Sequence, residues 1–318
     1  MHIPDGFLDA KTLAASATFA GAGVLVALSR SRVSLPPSRV PLLGMTAAFI
    51  FAAQMINFPV LGGTSGHLIG SVLACVILGP SGAIIALTSV LLVQAFLFAD
   101  GGILALGANV LNMGVAAPLV GYAFYRAVSR FAPGRRGQLF AAGVAAWCSI
   151  VVASVLCAGE LAWSGTVHWQ VVFPAMIGVH SLIGIGEALI TVLVLSAIMS
   201  VRPVLLDWQQ DARTSTVSFV IYGILLILVV VLFVLPFAST WPDGLEAVAS
   251  RFGFSSKGLA QPLMSSPVAG YYIPGFTSPV LAAAAAGLLG AFVVAIAAYL
   301  LTAFVVSRSA AASRRTHS

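Results

Sequence analysis

The chain begins MHIPDGFLDA, which puts a histidine beside the α-amino group. The imidazole of His2, its backbone nitrogen and the amine of Met1 can close adjacent chelate rings on one ion, so two residues supply three nitrogens. Such a planar set, completed by one more nitrogen, suits Ni(II) or Cu(II) better than the tetrahedral preference of zinc. A bulky second residue generally protects the initiator methionine, so Met1 is expected to stay. The fourth nitrogen is offered by FPVLGGTSGHLIGS, residues 58–71. Its glycines let the backbone turn sharply and approach another element. Thr64 or Ser65 is expected to cap a helix starting near His67, which places His67 in the first turn, facing outward at the surface. A helix N-terminus disfavours a cation, so neutral imidazoles and a deprotonated amide must offset that. Each stretch alone has a plainer reading: a surface histidine, and a Gly-rich loop whose histidine bonds a carbonyl.

The elements that must position these residues follow from composition. With 60% hydrophobic and 8% charged residues, the chain lies outside the range of soluble domains and reads as an all-α, polytopic membrane protein. The opening lacks the basic and apolar regions of a signal peptide, so no cleavage is expected. A helix needs ~20 apolar residues to cross a bilayer. Cutting at Pro, Gly and Arg clusters leaves nine candidate segments, roughly 11–29, 40–57, 66–79, 81–98, 103–125, 138–159, 170–200, 216–238 and 279–306. The third is short and expected to be tilted, broken or re-entrant, which is tolerated where protein covers the backbone.

Cations collect on cytoplasmic loops. With the N-terminus outside and the C-terminus cytoplasmic, twelve of the fifteen Lys and Arg residues fall inside, leaving Lys11, Arg251 and Lys257 outside. The net charge of +6 is therefore a topology signal, and nucleic acid is not expected as a partner. Asp5, Asp9, Asp100, Glu160, Asp243 and Glu246 map to the outer face, where they would attract cations. Cys75, Cys148 and Cys157 show no paired spacing and read as small core residues.

Ionisable groups within spans tend to face a cavity or a partner. His180 and Glu187, seven apart, share one helix face. Asn109 and Asn112 share another, and Gln94, Asp100 and Asn109 gather toward the outer ends of their spans. Gln94, Asp100, Asn109, His180 and Glu187 are candidates to orient metal ligands from behind; hydrogen bonding between helices is their alternative role. No G-x-x-x-x-G-K-[ST] and no H-E-x-x-H occurs, so the sequence carries neither a nucleotide-binding loop nor a metalloprotease signature.

Taken together, MHIPDGFLD, FAAQMINFPVLGGTSGHLIG, LVQAFLFADGGILALGANVLNMG and HSLIGIGEALIT resemble the CbiM/NikM family, the substrate-capturing membrane components of energy-coupling-factor transporters for cobalt and nickel. The resemblance covers roughly residues 1–200. It implies that the ion is held by the amine of Met1, the backbone and side chain of His2, and His67. It also implies two cytoplasmic ATP-binding subunits and a coupling transmembrane subunit as partners, a plasma-membrane location and no prosthetic group; ATP hydrolysis belongs to the partners, so the chain itself is not expected to be an enzyme. Beyond a cytoplasmic linker at 201–215, WPDGLEAVASRFGF and YYIPGF resemble the PDGLE domain of the small CbiN/NikN component. Residues 216–318 are thus expected to form a fused domain with two spans and an outer loop, in which Asp243 and Glu246 read as helix-start residues.

The expected function is capture of nickel or cobalt, with planar nitrogen coordination tilting toward nickel. An ion-coupled secondary permease would need an internal repeat with paired broken helices, and no convincing repeat is present. A membrane-embedded metal hydrolase would need an open coordination position and a general base, which three nitrogens from one terminus do not leave.

Overall fold

The computed structural model describes residues 1–201, 216–259 and 263–315. Among the described residues ten α-helices follow in chain order: α1 (Ala10–Ser34), α2 (Val40–Gln54), α3 (Ser71–Val93), α4 (Leu106–Asn109), α5 (Ala117–Phe131), α6 (Gly134–Trp163), α7 (Trp169–Val201), α8 (Thr216–Val229), α9 (Gly244–Arg251) and α10 (Pro279–Arg315). A short antiparallel hairpin, β1 (Phe58–Val60) and β2 (Thr64–Gly66), lies between α2 and α3. Seven described helical runs are long and apolar enough to cross a bilayer: Ala10–Arg32, Ser71–Phe98, Leu106–Phe131, Gly134–Trp163, Trp169–Val201, Val220–Phe237 and Pro279–Val306. Large exposed apolar side chains such as Phe19, Leu225, Phe233 and Phe292 suit lipid contact.

These seven runs stand beside nine segments in the sequence, and the difference falls at two places. The segment at 40–57 is a 15-residue helix, short for a full crossing. The segments at 66–79 and 81–98 fall within the single run Ser71–Phe98, yet the chain turns between them, where the sequence separates them. Gln54 shows the interruption: its Nε2 donates to the Ile69 carbonyl at 3.0 Å, and its Oε1 accepts from Gln94 Nε2 at 2.8 Å. An unbroken helix would hold residues 69 and 94 ~35 Å apart at 1.5 Å per residue. The chain therefore doubles back, and it does so at Gly79 (φ 79°, ψ 166°), followed by Pro80. Only glycine adopts that backbone without strain. The turn sits beside Arg30 and Arg39, around a cavity of about 510 Å³, so the bend and the arginines share one end of the bundle.

At the other end, residues 1–9 are non-helical yet inserted: Ile3 is fully buried, and Met1, Phe7 and Leu8 are buried too. The insert ends where Asp9 caps α1, accepting from the Thr12 amide at 3.1 Å. The C-terminal region closes over it. α10 packs along α2, with α8 beside it, and the loop between α8 and α10 reaches the N-terminal segment. Leu259 donates its amide to the Asp5 carbonyl at 2.9 Å, and Phe254 meets Phe7 edge to face at 5.5 Å between centroids. The linker expected at 201–215 lies, apart from Val201, outside the described residues. All three cysteines are free thiols.

Candidate metal centre

The loop that carries His67 departs from the sequence expectation. Thr64 and Ser65 cap no helix: the Ser65 amide donates to the Pro242 carbonyl at 2.8 Å, and its hydroxyl to the Trp241 carbonyl at 2.7 Å. With those groups engaged, residues 67–70 stay irregular and the helix begins only at Ser71. His67 is accordingly buried, at 7% exposure, instead of facing outward.

The Met1 amine approaches His67 Nε2 to 3.0 Å and donates to Asp243 Oδ2 at 2.7 Å. His67 Nδ1 faces the Leu68 carbonyl at 3.2 Å, so its proton belongs there and Nε2 keeps its lone pair toward the amine. The His2 ring stacks on His67 at 5.2 Å between centroids. Its nitrogens face oxygens, Nδ1 toward Asp100 Oδ1 and Nε2 toward Gln94 Oε1, both at 3.2 Å. Burial, then the charge of the α-amine and of His2, push His67 down to about 3. Burial lowers His2 as well, against the pull of Asp100. Burial thus favours the neutral form of both rings, the form a metal ligand requires. Burial would raise Asp243, but the amine's charge and hydrogen bond hold its carboxyl well below the usual range.

The residues singled out from the sequence are gathered behind this trio in different ways. Gln94 and Asp100 hold the His2 ring. Asn109 holds the next peptide, accepting from the Ile3 amide at 2.7 Å and donating to its carbonyl at 3.1 Å. Asp5 accepts the amides of Ile103, Leu104 and Ala105, pinning the segment to the start of α4. His180 lines a void of about 10 Å³ together with Met1, His67 and Asp243. Its Nδ1 faces the Met176 carbonyl at 2.8 Å, and Nε2 has no hydrogen-bond partner among the described residues. Glu187 instead accepts the amides of Ile69 and Gly70 at 2.6 and 2.9 Å, fixing the backbone just after His67. Asn112 turns away to Glu160 at 2.6 Å.

Glu187→Gln keeps the shape but loses half of that acceptor capacity, leaving one buried amide poorly paired. A loss of ~1–3 kcal/mol is expected, read as a lowered unfolding temperature in detergent. An unchanged transition would remove Glu187 from this role.

Three contributors escaped the sequence reading. Asp243 reads there as a helix cap, which it also is: it forms a capping box with Glu246 on α9. Tyr271 donates to Asp100 Oδ2 at 2.5 Å, and Gln54 bridges Ile69 and Gln94. The repeated Pro-Asp-Gly of residues 4–6 and 242–244 was the available signal for Asp243; nothing periodic marked the other two.

Among the described residues, no three His, Cys, Asp or Glu side chains gather into a metal-holding group. A further donor beside the two imidazoles is the Met1 amine, a main-chain nitrogen. The observed spacing fits that: ~2.0 Å bonds at right angles put neighbouring donors ~2.8 Å apart, close to the 3.0 Å between the amine and His67 Nε2.

A helical bundle with seven described runs long and apolar enough to cross a bilayer, and residues 1–9 inserted at one end, defines a multi-pass membrane protein. Residues 2–205 match the family model described as the cobalt uptake substrate-specific transmembrane region. The chain therefore belongs to the CbiM/NikM family of metal transport components of the plasma membrane, here fused to an N-like region. A relative from Archaeoglobus fulgidus, provisionally named a fused nickel transport protein NikMN, is 34% identical over 281 residues, 86% of this chain and 89% of its own. The fused nickel transport protein NikMN of Rhodobacter capsulatus is 40% identical over 161 residues, covering 50% of this chain and 46% of its own. A crystal structure of a transition metal transporter superposes with a TM-score of 0.59 at 34% identity, over 67% of this chain and all of that one.

Proposed function

We propose that this chain is the substrate-specific membrane component of an energy-coupling-factor importer for nickel or cobalt. The ion is held by the Met1 amine, the backbone and imidazole nitrogens of His2, and His67 Nε2. Residues 1–200 capture the ion, and residues 216–318 form a CbiN/NikN-like domain with two spans and an outer loop. The observation that carries this reading is the 3.0 Å approach of the buried amine to His67 Nε2, with His2 stacked alongside.

The chemistry follows from the donors. The amine stands as an ammonium ion paired with Asp243, so it loses a proton when it binds metal, and the His2 amide loses another. The His2 ring turns from Asp100 to close the six-membered ring through Nδ1. Gln94, Asp100 and Asn109 then orient the segment from behind, as outer groups of metal sites do. Planar nitrogen coordination favours nickel over cobalt. ATP hydrolysis belongs to two cytoplasmic subunits linked through a coupling membrane subunit, since the sequence has no nucleotide-binding loop of its own.

Titration of the purified chain with Ni(II) and Co(II) tests the reading. The amine and the amide each release a proton on binding metal. Affinity should then rise with pH, up to ~tenfold per unit for each proton released. Calorimetry in two buffers of different ionisation enthalpy counts those protons. Binding that releases none would exclude the amine and amide as donors.

A further inference from the structure

The Met1 amine meets a carboxylate that lies beyond the matched residues 2–205. The two oxygens of Asp243 have separate partners. Oδ1 accepts the amides of Leu245 and Glu246 at 2.8 and 2.9 Å, anchoring the carboxylate to α9. Oδ2 faces the amine at 2.7 Å. The same turn is tied to the strand leading into His67, because Ser65 forms a bridge with Asp243 and takes the Pro242 carbonyl. It is also closely packed: a Cβ on Gly244 would lie 2.8 Å from His180 Cε1 and Nε2, so a larger residue would push the turn away. One short turn of the fused region thus fixes the amine and the approach of His67 together.

We infer that Asp243 is a positioning residue for the transported ion, holding the Met1 amine in place before the ion arrives and keeping one of its N–H bonds afterwards. This rests on the metal centre proposed above. The amine's N–H toward His67 Nε2 occupies the line between two donors, and that proton is the one the ion replaces. The amine retains two hydrogens when it binds metal, so the bond to Asp243 Oδ2 survives.

The test is Ni(II) and Co(II) titration of the full chain with its own N-terminus, comparing parent, Asp243→Asn and Asp243→Ser. Asn and Ser cap helices about as well as Asp, so α9 keeps its start while the charge is lost; unfolding without metal checks that both variants fold. Removing an outer partner of a ligand typically weakens metal binding ~10–100-fold. That loss is expected for both variants, with the visible absorption bands of bound Ni(II) unmoved because the donors are unchanged. Affinity within twofold of the parent would overturn the inference. So would shifted bands, which would make the carboxylate a direct ligand. A parent that binds neither metal, or His67→Ala binding like the parent, would overturn the centre itself, an outcome distinct from either Asp243 result.

Discussion

Residues placed ahead of Met1 should abolish high-affinity Ni(II) and Co(II) binding. An extension turns the amine into an amide, which binds a metal only after losing its own proton and carries no positive charge for Asp243. It also breaks the chelate that joins the amine to His2, so two of four donors are compromised. Four-ligand structural zinc sites carry ~10–16 kcal/mol, or ~3 kcal/mol per donor. Losing two therefore weakens binding by ~10⁴-fold. Burial adds to this, since Met1 is 5% exposed and the pocket around it leaves a void of about 10 Å³. A cleavable extension gives the decisive measurement: binding absent before proteolysis and regained once Met1 is the first residue. Equal affinity before and after would sink the proposed donor set.

Replacement of His67 by alanine should cost about one donor, ~100-fold in affinity by the same reckoning. The ring is buried against His2, so the change is not a surface one. Some loss of stability, ~1–3 kcal/mol, is expected from the lost packing and hydrogen bonds. The two effects separate cleanly, because a merely structural histidine would lower the unfolding temperature and leave metal affinity in place. His2→Ala removes a donor of the same ion and should cost a similar ~100-fold, so each single variant should lose tight binding. A single variant that still binds one ion with the parent's affinity would mean two independent sites.

The sequence itself determined the membrane character, the apolar segments and the opening Met-His. Those features are local: a run of apolar residues has one favourable solvent whatever its neighbours, and a chelate between adjacent residues depends on covalent geometry alone. Gln94, Asp100 and Asn109 were also legible, because polar groups near span ends need partners and an N-terminal segment rich in donors supplies them. The tertiary structure decided what depends on contacts distant in sequence. It converted the expected helix start near His67 into a hairpin and an irregular stretch, because residues 241–242 take the hydroxyl and amide of Ser65. The turn at Gly79 was legible, since the sequence separates 66–79 from 81–98 there; the structure adds that it brings Ile69 and Gln94 to one partner, Gln54. It sent Glu187 to the backbone after His67, and it brought Asp243 across 242 residues to the amine. A carboxylate in a Pro-Asp-Gly turn satisfies its local role by capping a helix with one oxygen. The partner of the other oxygen is set by packing alone, and no spacing within the sequence encodes it.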